Sequence, residues 1–173
     1  MGNPELSDQE SRYYQDAGIV LQACLGDATN MGCIGPILVQ VQFFHAYPDL
    51  ELIFDCAMKF FQLYHDLPTF QVLSGDITDV GAAKGMQSAQ LGGMVEVVRG
   101  WYEHPKVNEG LVRDIVRQAQ KDHARLELSY QLEVDPANLQ KALDQANQRV
   151  GIDPFDRPPE ENPFIGSERG HRQ

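Results

Sequence analysis

Between Pro48 and Pro68 the chain reads PDLELIFDCAMKFFQLYHDLP, and no other stretch restricts the fold so tightly. Pro48 suits the first position of a helix, where no backbone N–H is needed. Asp49 and Glu51 place negative charge at the positive end of the helix dipole. Ile53, Cys56, Ala57, Phe60 and Tyr64 then recur every three or four residues, the spacing of one helical face. Phe54, Phe61 and Leu63 widen that stripe, so this helix must be covered on more than one side, with Phe60 as a buried aromatic anchor. Leu67 precedes a proline and is driven out of the helical region, which ends the helix near Asp66. Thr69 can cap a short helix carrying Phe70 and Leu73. A helix apolar around most of its girth needs several helical neighbours, and the rest of the chain supplies them.

Upstream, Ser7-Asp-Gln-Glu10 has the form of a capping box opening a helix to about Gly26, with Tyr14, Ala17, Leu21 and Cys24 or Leu25 inward. Residues 27–32, DATNMG, read as a turn. A second short helix over about 33–41 carries Ile34, Ile37, Leu38 and Val41, its start blurred by Pro36. Residues 75–93 are glycine-rich and read as a mobile loop leading into a helix over about 89–102 anchored by Met94, Val97, Val98 and Trp101. Asn108 can cap a long helix, 109–132, with Val112, Ile115, Ala119, Leu126 and Tyr130 on one face and charged residues on the other. Asp135-Pro136 opens a last helix to Val150, with Leu139, Leu143, Ala146 and Val150 at near-heptad spacing and Gly151 placed to end it. No stretch alternates as a strand does. The fold class is all-α: a compact helical bundle at 8–103, an antiparallel helical hairpin at 107–150, and a linker-like or disordered tail at 151–173 rich in proline and charge.

Charge and motif content remove several function classes. Fourteen Lys and Arg against 25 Asp and Glu leave a formal charge of -11, the wrong sign for a broad nucleic-acid footprint, so direct DNA binding by this segment is not expected. No apolar run reaches the roughly 18 residues needed to span a bilayer. The polar, acidic opening MGNPELSDQESRYY is not that of a signal peptide. The dispersed cysteines Cys24, Cys33 and Cys56 suit reduced core thiols, which points to the cytoplasm. Gly81-Ala-Ala-Lys84-Gly85 touches the vocabulary of a phosphate loop without its G-x-x-x-x-G-K-[ST] frame. His65-Asp66 has the form of an HD metal pair. Further ligands are missing at metal spacing, and a helix end explains the pair more simply.

The order of these segments resembles the N-terminal domain of DnaB-type replicative DNA helicases, and most closely its phage branch. AGIVLQACLGDATN is similar to the opening helix with its acidic turn, and QFFHAYPDLELIFDCAMKFFQLYHDLPTF to an aromatic–linker–helix–Pro-Thr block. NEGLVRDIVRQAQKDHARLELSY and DPANLQKALDQANQRVGID look like the two hairpin helices. The likeness covers about 16–156. It implies a non-catalytic assembly and interaction domain in DNA replication, in a bacterial or phage-infected cell, that pairs through its hairpin as a homo-oligomeric collar. It also implies docking of primase or a helicase loader. Val112, Ile115, Leu139 and Leu143 are the interface positions it nominates. No catalytic residue, metal ligand or cofactor is expected in these residues. ATP and magnesium would belong to a motor domain with its own phosphate loop, which this sequence lacks.

Two other readings stand beside it. The chain could be a stand-alone helical adaptor that regulates a helicase. Less favoured is an HD-type metal-dependent enzyme built on His65 and Asp66, with His45 or His104 as further ligands.

Overall fold

A computed structural model describes residues 8–134 without a break, together with positions 141, 143–145 and 148. The fold is all-α, and no strand occurs among the described residues. Six continuous helices follow one another: α1 (Asp8–Gly26), α2 (Ala28–Gln40), α3 (Pro48–Tyr64), α4 (Phe70–Ala83), α5 (Ser88–Glu103) and α6 (Glu109–Val134). Positions 141, 143–145 and 148 are helical as well. Ser7 of the expected capping box, Leu139, the boundaries of the last helix and the tail 151–173 lie outside the described residues.

α1 runs through the middle of the assembly and packs against α2, α3, α5 and α6. Ala17, Val20, Leu21 and Cys24 accordingly lose all contact with solvent, and Ala23 and Leu25 nearly all. Small side chains let the neighbours approach: Gly18 faces the indole edge of Trp101, 3.7 Å from where a Cβ would stand. α3 is buried on several sides along its first three turns, through Leu50, Leu52, Ile53, Phe54, Cys56, Ala57 and Met58. Its last turns emerge from the core. Phe60 is half-buried rather than a core anchor and lies 4.6 Å from the exposed Tyr64 ring. The fully buried aromatic of α3 is Phe54, which meets Phe44 at 4.9 Å.

Two loops expected from the sequence are helical. Asp27 is the N-cap of α2, its carboxylate accepting the N–H of Thr29 at 2.8 Å, so DATN opens a helix instead of forming a turn. Pro36 then sits inside α2 on the exposed side, where the carbonyl it leaves unpaired can turn to water. The glycine-rich stretch is α4, a short turn and α5. Leu73, Ile77 and Gly81 form a buried i, i+4, i+8 line on α4, facing Leu91, Met94 and Val98 of α5. Gly81 is there for proximity, since a Cβ would run into Leu91 Cδ2 and stand 3.2 Å from Leu52 Cδ2 of α3. Gly85 is there for conformation. At φ 84° it ends α4 with the paired bonds of a Schellman motif, Met86 N–H to Gly81 O and Gly85 N–H to Ala82 O, both 3.0 Å.

The link between α3 and α4 is tied down from α5. Tyr102 donates its hydroxyl to Pro68 O at 2.7 Å, and its ring lies 5.9 Å from that of Phe70. Burial pushes the phenol up to about 12. α6 starts on its Asn108 cap, whose side chain accepts the Leu111 N–H at 3.0 Å, and runs antiparallel to α1. Val112 and Val116 enter the shared core, with Ala124 also buried. The bundle and the first hairpin helix are therefore one packed unit. Leu126 and Tyr130, expected inward, are 71% and 62% exposed. The cause is direction: the covered line on α6 steps by four residues, through Val112, Val116, Gln120, Ala124 and Leu128, and so winds around the helix away from Leu126 and Tyr130.

Two measurements check this packing. Gly81→Ala should lower stability by about 1–3 kcal/mol in urea melts, the usual cost of overfilling a packed contact, despite alanine's better helix propensity. Gly92→Ala, on open helix surface, should instead raise it by about 0.5–1 kcal/mol. The second concerns alkaline pH. Unfolded Tyr102 loses its proton near 10 and the folded residue only near 12, so the folded state holds the extra proton across that window. Stability should fall as pH rises through it, and the decline should be shallower in Tyr102→Phe.

Candidate interaction surfaces

His65 and Asp66 resolve into a helix end. His65 takes the left-handed conformation, φ 56° and ψ 29°, with its N–H on Phe61 O at 2.7 Å, and both side chains are solvent-exposed. Asp66 Oδ1 accepts the N–H of Leu67 at 2.8 Å as the chain turns toward Pro68. Thr69 then caps α4 through the Val72 N–H at 3.3 Å. His45 lies at the opposite end of α3, 3.9 Å from Glu51, about 20 Å along the helix from His65. One ion could not be shared between them. His104 contributes its backbone carbonyl to Gln22 Nε2 at 2.6 Å. Among the described residues, no three His, Cys, Asp or Glu side chains gather as metal ligands.

The buried thiols are equally unsuited to nucleophilic work. Cys24 is pushed up to about 12 and Cys56 to about 11, both chiefly by burial, with Asp76 and Asp55 adding to the rise at Cys56. Such groups stay protonated at neutral pH, and only the thiolate attacks.

The surface shows more than these clusters do. On α6, Leu126, Tyr130 and Leu132 all project large apolar groups into solvent. Of the interface positions nominated from sequence, Val112 is 1% exposed and taken up by the chain's own core. Ile115 is half-buried against that core, and Leu143 is half-buried. Leu139 lies outside the described residues. On α6 the residues expected inward are thus divided: Val112 is buried, Ile115 half-buried, and Leu126 and Tyr130 stand in solvent.

A second apolar surface escaped the sequence reading. Phe60, Leu63 and Tyr64 of α3 face Val72 and Val80 of α4 across an open groove of about 320 Å³ floored by Cys56, with Lys59 and Asp76 on its rim. Leu63 and Tyr64 are each 64% exposed. The signal that could have found it was the helical spacing of Val72 and Val80, hidden by treating most of α4 as a loop.

If His65 serves only to end α3, glycine should serve better, because a side chain in the left-handed region carries a cost of roughly 1–2 kcal/mol. His65→Gly is expected to raise stability by up to about 1 kcal/mol in chemical melts, after allowing for glycine's greater freedom when unfolded. A fall in stability would mean that the imidazole itself makes a contact that matters.

No protein-family model, curated protein or solved structure matches this chain.

Proposed function

We propose that this chain is a non-catalytic assembly and protein-docking domain, of the kind that forms the collar of DnaB-type replicative helicases. Copies pair through α6 and the helical segment after it, and the remaining surface receives a primase or loader. One observation carries the reading: outside its covered line, the C-terminal half of α6 presents Leu126, Tyr130 and Leu132 to solvent. Leu126 and Tyr130, one turn apart, share a face of α6, and adjoining large apolar groups in solvent mark a contact surface more often than isolated ones do. A helix that buries one line of residues and carries large apolar side chains outside it suits a domain that holds itself together on one face and its partner on another.

The groove between α3 and α4 favours a second reading in the same class, an adaptor whose partner is a different protein. The coding sequence beyond Gln173 separates the two. An in-frame phosphate loop supplies the motor of a helicase, and a stop codon leaves an adaptor.

Light scattering of the intact chain across a wide concentration range tests the pairing. The expected result is a dimer or larger species that becomes monomeric on Leu126→Asp with Tyr130→Asp. Helical circular dichroism should not change, because exposed positions of this kind move stability by only about 0.5 kcal/mol. A wild-type chain that remains monomeric at high concentration would sink self-assembly through α6.

A further inference from the structure

Where α1, the α2–α3 connection and α6 meet, the surface is indented by a notch of about 160 Å³ lined by Tyr13, Asp16, Phe43, Tyr47, Ile115, Gln118, Ala119 and Asp122. At roughly 30 Å³ per water molecule this is room for about five waters, the scale of one side-chain head group and far below that of a nucleotide. Its composition is selective. Three aromatic rings and two aliphatic side chains make the walls, and the only charged groups among the lining residues are two carboxylates. Tyr47 is held in place by Tyr14, edge to face at 5.5 Å.

The electrostatics around the notch point one way. Burial raises the Tyr47 phenol, and Tyr13, Asp16 and Glu10 raise it further. Tyr14 is raised by burial and by Asp49. Both hydroxyls therefore stay neutral, and the rings stand in a negative field contributed by α1 and α3. On α6, Asp122 is positioned by Gln118 Nε2 at 2.9 Å. Its cationic partner Arg125, at 3.5 Å, is a mostly exposed surface pair that costs little to displace. An aromatic wall attracts a cation through the ring quadrupole, and a planar guanidinium can stack on the ring while donating to a carboxylate.

We propose that this notch is a docking site for an arginine side chain on a basic segment of a partner protein, seated against Tyr13, Tyr47 and Phe43 and bonded to Asp16 and Asp122. The chain's charge of -11 draws such a segment in from a distance, and the notch selects the residue that anchors it. Lysine fits less well, since an ammonium stacks poorly and cannot form the two-pronged bond to a carboxylate. None of the notch's lining residues is among those that α6 projects at its far end, although Asp122 stands one turn before Leu126, so the two surfaces adjoin on α6.

The test uses a fluorescein-labelled hexa-arginine peptide and the intact chain, read by anisotropy at about 0.15 M salt, where the Debye length is near 8 Å. Hexa-lysine serves as the comparison peptide. Two double variants of equal net charge separate the notch from general attraction: Asp16→Asn with Asp122→Asn, and Asp76→Asn with Asp79→Asn on α4. The notch pair should weaken hexa-arginine binding about tenfold or more, the α4 pair less than twofold, and hexa-lysine should bind several-fold more weakly than hexa-arginine. Tyr47→Leu, which keeps both carboxylates, should also weaken binding. Equal losses in the two double variants would reduce the effect to net charge and overturn the proposal. So would no measurable binding of hexa-arginine, or equal affinity for the two peptides.

Discussion

Everything in this structure depends on α1 being surrounded. A helix touched by four others has almost no face left for solvent, so its central residues must be apolar, and several must be small. Ala17, Val20, Leu21, Ala23 and Cys24 meet that requirement, and Gly18 admits Trp101. Fully burying each Val or Leu contributes about 1.5–3 kcal/mol. The larger consequence is geometric. Because α2, α3, α5 and α6 all pack against the same helix, a shift of one would disturb the others, and α3 and α6 are each held in place by α1. The candidate surfaces lie on what those two helices have left over: the last turns of α3 and the far end of α6.

How much of this was legible in the sequence can be argued helix by helix. Periodic apolar residues between clear signals gave α1, α3, α5 and α6 nearly to the residue. Pro48, Thr69 and Asn108 act at the boundaries where they were expected to act. The misreadings share one physical cause. Glycine and proline were taken as interruptions, yet Pro36 rests on the wet side of α2, and Gly81 is a contact surface whose missing Cβ lets α4 lie close to α5 and α3. Sequence shows that a glycine is present, but whether it frees the backbone or admits a neighbour depends on a partner remote in the chain. Gly85, four residues on, does the opposite work and ends the helix.

The same limit separates buried from exposed on the long helices. Val112 and Tyr130 both sit on apolar spacing, and nothing local distinguishes them. The difference arises because the covered line on α6 steps by four residues, from Val112 and Val116 to Ala124 and Leu128, and winds away from the face that carries Leu126 and Tyr130. The ends of α2 and α3 were legible within a residue or two, near Val41 and Asp66, without the usual glycine marker. Both helices leave through left-handed residues that are not glycine, Gln42 and His65. At His65 the missing glycine let a chemically suggestive His-Asp pair stand at what is only an exit from a helix.

Gln42 also connects the fold to the aromatic notch. With φ at 53° it closes α2 through a Schellman pair, Phe43 N–H to Leu38 O at 3.0 Å and Gln42 N–H to Val39 O at 3.2 Å. The turn sends two successive phenylalanines in different directions, their rings 5.0 Å apart and nearly perpendicular at 82°. Phe44 enters the core against Phe54, and Phe43 faces outward into the notch beside Tyr47. A helical continuation at Gln42 would have placed both rings on the helix surface and left neither wall nor anchor. The strained residue is thus kept by the burial of Phe44, and the same burial fixes the position of Phe43. Phe43 and Tyr47, each half-buried and packed against a neighbouring ring, would lose little conformational freedom if a cation stacked against them, which favours the proposed single-side-chain anchor.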